Sequence, residues 1–135
     1  MINLRKGAIS MTNVLTNMEN IIDDYEVEKK EKINLKLKSF FIVYKIKRIL
    51  KTDFAQKIIS ENIRKDKAVN NGRETIKGTR ITPDDIGRIV AMNKNVTIEN
   101  IFEELPSLKN QEQILAGLFV FMRKNITWRN LLFAQ

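Results

Sequence analysis

Thr75–Lys124 reads TIKGTRITPDDIGRIVAMNKNVTIENIFEELPSLKNQEQILAGLFVFMRK, and this stretch decides the fold. Ile76–Thr82 is a strand candidate: Ile76 and Ile81 are β-branched, and Gly78 between them marks a bend or a close backbone approach. Thr82-Pro83-Asp84-Asp85 then opens a helix. Thr82 caps the free amides, Pro83 suits the first helical position, and the two aspartates favour the positive end of the dipole. Ile86, Ile89 and Val90 fall on one face, and Asn93-Lys94-Asn95 breaks the pattern.

A second helix starts at the cap Thr97. Ile98, Ile101, Phe102 and Leu105 form its apolar stripe, and it stops before Pro106 because a residue preceding proline is pushed out of the helical region. Asn110 caps a third helix that begins at Gln111. From Ile114 to Met122 this helix carries no polar side chain. Such a helix must be covered on several sides. It either runs through the centre of the domain or meets another subunit along part of its length. The layout is that of a helix-turn-helix or of a plain helical packing unit.

Outward from this stretch, Met11, Leu15, Met18, Ile22 and Tyr25 recur at steps of four and three, widened by Val14 and Ile21. The periodicity predicts a helix that packs on the rest of the chain or captures a partner helix. Asp23-Asp24 to Lys32 reads as a charged linker. Ile33, Leu35 and Leu37 alternate like a strand, and a helix is expected over 39–51 or from Ile33 onward. Asp53 is the expected cap of another helix buried through Phe54, Ile58, Ile59 and Ile63. Ala68–Gly72 is a linker of turn formers. The division is a basic helical region over 1–71 and a helix-turn-helix module with an apolar tail over 72–135. The fold class is mostly α, with a short strand or hairpin at the start of the module.

The 135 residues carry net charge +8 with pI about 9.8, a balance suited to polyanions and equally to solubility. Most of the excess lies between Lys29 and Lys67. There is no cysteine and no histidine, which removes thiolate metal sites and the commonest acid–base catalyst. No phosphate-binding glycine loop and no activated serine is visible. No catalysis, cofactor or metal is expected, and no membrane span. A cytoplasmic protein is the expected class.

For nucleic acid, Lys109, Asn110, Gln111 and Gln113 open the third helix, the usual place for base-edge contacts. Arg80, Arg88 and Lys94 are candidates for phosphates, and Lys45, Lys47, Arg48 and Lys51 add a basic surface from the N-terminal half. Glu112 and the abrupt apolar continuation argue for dimerisation or protein binding over deep groove reading. Leu118, Phe119, Phe121 and Met122, with Trp128, Leu132 and Phe133 of the tail, are the candidate dimer or partner interface.

The order Gly72, Ile76, Gly78-Thr79-Arg80-Ile81, then Glu99, Ile101, Pro106, Leu108, Ile114 and Ala116 resembles the bacterial family catalogued as domain of unknown function four-three-three. That family is described as antitoxin-like and grouped with VapB-type antitoxins. Leu105 departs from its usual aromatic, Asn110 stands near its usual threonine cap, and Gly117 and Phe119 replace small residues. The resemblance implies a homeodomain-like fold, a homodimer, and DNA or toxin binding. The resulting expectation is a dimeric DNA-binding antitoxin-like protein or small repressor, with duplex DNA and a cognate toxin as partners. The alternative is a protein-binding inhibitor of a toxin nuclease or phage-defence effector, which would meet a nucleic-acid-bound protein through its basic surface.

Overall fold

The computed structural model describes residues 10–29, 47–68 and 70–125. Helix α1 covers Met11–Lys29 and α2 covers Asp53–Asn62. Strands β1 (Ile63–Lys65) and β2 (Glu74–Ile76) follow, separated by a 3-10 turn at Asn70–Gly72. Helices α3 (Pro83–Met92), α4 (Ile98–Glu104) and α5 (Gln111–Asn125) complete the order. The protein is mostly α, and among the described residues a small two-stranded antiparallel sheet lies near the start of the module. No helix among the described residues is long and apolar enough to cross a membrane.

Helix starts follow local chemistry. The Thr82 hydroxyl accepts from the Asp85 amide at 3.2 Å, and the Asp85 carboxylate accepts from the Thr82 amide at 2.9 Å. Thr97 and Asn100 repeat this reciprocal box on α4. At α5, the Asn110 side-chain oxygen accepts from the Gln113 amide at 2.9 Å. The Gln113 side-chain oxygen accepts from the amides of Lys109 and Asn110 at 2.6 and 3.2 Å. These bonds satisfy amides that a helix leaves without partners at its first turn.

Several elements differ from the sequence expectation. The strand ends at Ile76, where it was expected to begin. Gly78 has φ +79°, and the Thr79 hydroxyl donates to the Ile76 carbonyl while accepting from the Ile81 amide. The GTRI segment therefore forms a turn, closed by the Ile76 amide on the Ile81 carbonyl at 2.8 Å. The partner of β2 is Ile63–Lys65, with Ile63 opposite Ile76 and Lys65 opposite Glu74. Ile63 thus leaves α2 rather than extending its buried face. Thr52, not Asp53, caps α2, its hydroxyl accepting from the Ala55 amide at 3.2 Å. Helix α1 continues through Asp23-Asp24 to Lys29 with no linker there, because both aspartates sit on its exposed side while Tyr25 is buried. The strand-like alternation at 33–38 lies outside the described residues, and of the helix expected over 39–51 only residues 47–51 fall within them, with 47–50 helical and Lys51 in a turn.

Helix α5 runs through the centre of the molecule. Every residue from Gln113 to Met122 is buried, and α5 packs against α3, α2, α1, α4 and both strands. Helix α1 buries Val14, Met18, Ile21 and Ile22 completely, against α3 and α5. One continuous apolar core thus joins the two sides of the 71/72 boundary, which itself falls in the loop of the hairpin.

Two glycines bring α3 and α5 together. A methyl group on Gly87 would overlap the Phe121 ring, and one on Gly117 would overlap the end of the Ile86 side chain. Each helix therefore presents its backbone to a large side chain of the other.

Candidate nucleic-acid interface

The β1–β2 loop, the GTRI turn and the start of α3 converge on one side of the fold. There a shallow cleft of about 290 Å³ is lined by Arg73, Arg80 and Arg88, with Asn71, Thr82, Asp84 and Asp85. Each arginine arrives by a different local route. Arg73 follows Asn71 and Gly72, whose positive φ values of 56° and 81° turn the loop into β2. Arg80 sits in the turn that Gly78 permits. Arg88 projects from the exposed side of α3, one residue after the buried Gly87. The charges are not equivalent. The Asp85 carboxylate is occupied by the capping box, whereas Asp84 at the second helical position takes part in no salt bridge among the described residues.

A second depression of about 270 Å³ adjoins the first and shares Arg73, Thr82 and Asp84 with it. Lys65, Glu74 and Lys124 add to its lining. Glu74 meets Arg123 at 3.4 Å and Lys124 at 3.8 Å, both half-exposed pairs that contribute little to stability.

Of the residues expected to contact nucleic acid, Arg80 and Arg88 meet in this cleft. Lys94, Lys109 and Asn110 are exposed but line neither depression. Lys47 is half-buried, Arg48 and Lys51 are exposed, and none of the three lines a depression; Lys45 lies outside the described residues.

At the start of α5, the side chains of Gln111, Glu112 and Gln113 are engaged within the chain. Gln113 is buried, and its side-chain oxygen is occupied by the cap. The Gln111 side chain donates to Glu28, and the Tyr25 hydroxyl donates to Glu112 at 3.1 Å. The C-terminal part of α1 therefore lies over the turn that would have to enter a groove. Leu118, Phe119, Phe121 and Met122 are 0–3% exposed in the single chain, so they form its own core and not a dimer or partner surface. The physical reason is that α1, α2 and α3 already cover the helix on all sides. Trp128, Leu132 and Phe133 lie outside the described residues.

Sequence reasoning missed Arg73. The signal was present: two turn formers directly before it, in a loop closing onto the strand that precedes GTRI. It also missed Asn17, which is fully buried on α1. The Asn17 amide group donates to the carbonyls of Val90 and Asn93 at 2.8 and 2.7 Å, and its oxygen accepts from the Val96 amide at 2.7 Å. Asn13, one turn earlier, donates to the Ala91 carbonyl at 3.1 Å. Two asparagines on one face of α1 thereby satisfy the orphan carbonyls at the C-terminus of α3.

Comparison with curated proteins and with solved structures finds no match. The family model fits the segment that builds the hairpin, the GTRI turn and α3 through the first half of α5. The model of the family described as protein of unknown function (DUF433) matches residues 63–119, the family and region that the GTRI-centred resemblance points to.

Proposed function

We propose that the protein is a DNA-binding, antitoxin-like protein or small repressor that grips duplex DNA by its backbone at the Arg73–Arg80–Arg88 cleft. The observation that supports this most strongly is the convergence of three arginines from three separate segments on one open surface. Guanidinium groups match phosphate geometry, and phosphate contacts supply most non-specific affinity. The net charge of +8 adds a favourable long-range field. The antitoxin part of the reading rests on the family resemblance. Any homodimer has to use surface other than the buried face of α5.

Gel-shift titration of the full chain against duplexes that include the DNA upstream of its own gene tests this. Binding at about 50 mM salt should fall steeply by about 200 mM, since each neutralised phosphate contributes a slope near −0.9 in log K against log salt. No shift at low salt on any duplex overturns it.

The second reading, an inhibitor that docks on a nuclease toxin or phage-defence effector, is favoured by one observation. Asp84 and Glu74 mix negative charge into the basic surface, which suits contact with a protein of mixed surface charge. Co-purification with a nuclease whose cleavage the protein blocks would establish it, and unimpaired cleavage in the presence of excess protein would remove it.

A further inference from the structure

The two adjoining depressions are unequal in what they share. Arg73 lines both, between Arg88 on one side and Lys65 on the other. All three side chains are exposed. Asp84 also lines both, and its carboxylate, unlike that of Asp85, serves no capping bond. We propose that the two depressions form one track for successive phosphates of a DNA strand, with Arg73 at the joint and Asp84 as a built-in opposing charge that keeps the grip weak and reversible. This rests on the DNA-binding reading above. The physical argument is local. A phosphate in either depression lies near Arg73 and gains from it, and the same phosphate lies near Asp84 and is repelled by it. Asp84 stands at the positive end of α3, so the helix tolerates the charge there, and ordinary helix-dipole stabilisation explains its presence without explaining its place in both depressions. With α5 enclosed, contacts made here read backbone position and not base identity.

Fluorescence anisotropy of a labelled 20-base-pair duplex (a length of about two helical turns) with the full chain separates the parts. Arg73→Ala should weaken binding about fivefold or more, and Arg88→Ala should weaken it as well. Each should lower the salt slope by about one, as the loss of one phosphate contact does. Asp84→Asn keeps the side-chain shape and should tighten binding about threefold to tenfold. Lys109→Ala, outside both depressions, should bind as wild type does. Thermal melts of the four variants confirm that each is folded. If the wild type binds but Asp84→Asn binds no better, or Arg73→Ala is unchanged, the track is wrong while DNA binding stands. If the wild type fails to bind at low salt, both fall.

Discussion

Asn17 shows how much one buried polar residue contributes. It is completely enclosed, yet all its bonding capacity except one lone pair is used on three backbone groups of the α3–α4 connection. The connection needs such a partner because Asn95 holds a left-handed conformation with φ 57°, which turns the chain away from the helix and leaves carbonyls at the end of α3 without intrahelical donors. Orphaning a buried group costs about 1–3 kcal/mol. Asn17→Ala should therefore destabilise the protein by about 3 kcal/mol, while Asn13→Ala, which removes one half-exposed bond, should lose about 1 kcal/mol. Asn17→Asp should be at least as damaging as Asn17→Ala, since a carboxylate offers no donor to the carbonyls of Val90 and Asn93. Urea denaturation measures all three. A loss for Asn17→Ala within about 0.5 kcal/mol, the range of neutral surface changes, would show that water replaces the side chain.

At the scale of elements, the α3–α5 crossing depends on Gly87 and Gly117, and the two should not respond alike. Replacing an exposed helical glycine by alanine gains about 1 kcal/mol in helix propensity. At Gly117 the obstacle is the terminal methyl of Ile86, which can change rotamer, so Gly117→Ala should be close to neutral. At Gly87 the obstacle is the Phe121 ring, met at three atoms between 2.1 and 2.4 Å, and a rigid ring cannot bend its end aside as an aliphatic side chain can. Gly87→Ala should lose about 1–3 kcal/mol, the usual range for overpacking. Adding Phe121→Leu should recover part of that loss, a favourable coupling that two independent sites would not show. Chemical denaturation of the two single variants and the double variant checks this, and strict additivity refutes the account. Helix starts were legible from sequence because capping is local: Thr82, Thr97 and Asn110 announce α3, α4 and α5 within four residues. The crossing was not legible, since nothing in an isolated Gly87 or Gly117 says which ring lies opposite. The strand was misplaced for a related reason. Ile76 and Ile81 look like strand residues, but hydrogen bonds through Thr79 and a positive φ at Gly78 outweigh their propensity.

For the whole molecule, the central question is whether the C-terminal module, residues 72–135, can stand alone. Its apolar helix α5 signalled heavy burial, and two ways of meeting that demand were open in the sequence: a second copy, or the rest of the same chain. The stripe Val14, Met18, Ile21, Ile22 and Tyr25 holds the answer, but only contacts show that its target is in the same chain. The interface was half-legible in the same way. Arg80 and Arg88 stand close enough in sequence to be grouped, whereas Arg73 joins them only through the hairpin, and the engagement of Gln111 depends on Glu28 of α1, far away in the chain. Because one core spans both halves, residues 72–135 lack β1, the partner of β2, along with the α1 face that covers α3 and α5. Expressed separately, this fragment should fail to fold: circular dichroism should show reduced helix and no cooperative melt, and its amide NMR spectrum should be collapsed. The full chain should unfold in a single transition seen alike by far-UV and near-UV circular dichroism, the behaviour of one cooperative unit. Adding a separately produced 1–71 fragment should restore helicity to the 72–135 fragment, because the missing surface would be supplied in trans. A well-dispersed spectrum from 72–135 alone would show that the module buries α5 by some other means, through self-association if its hydrodynamic mass is doubled, and would place the boundary of the folding unit inside the hairpin after all.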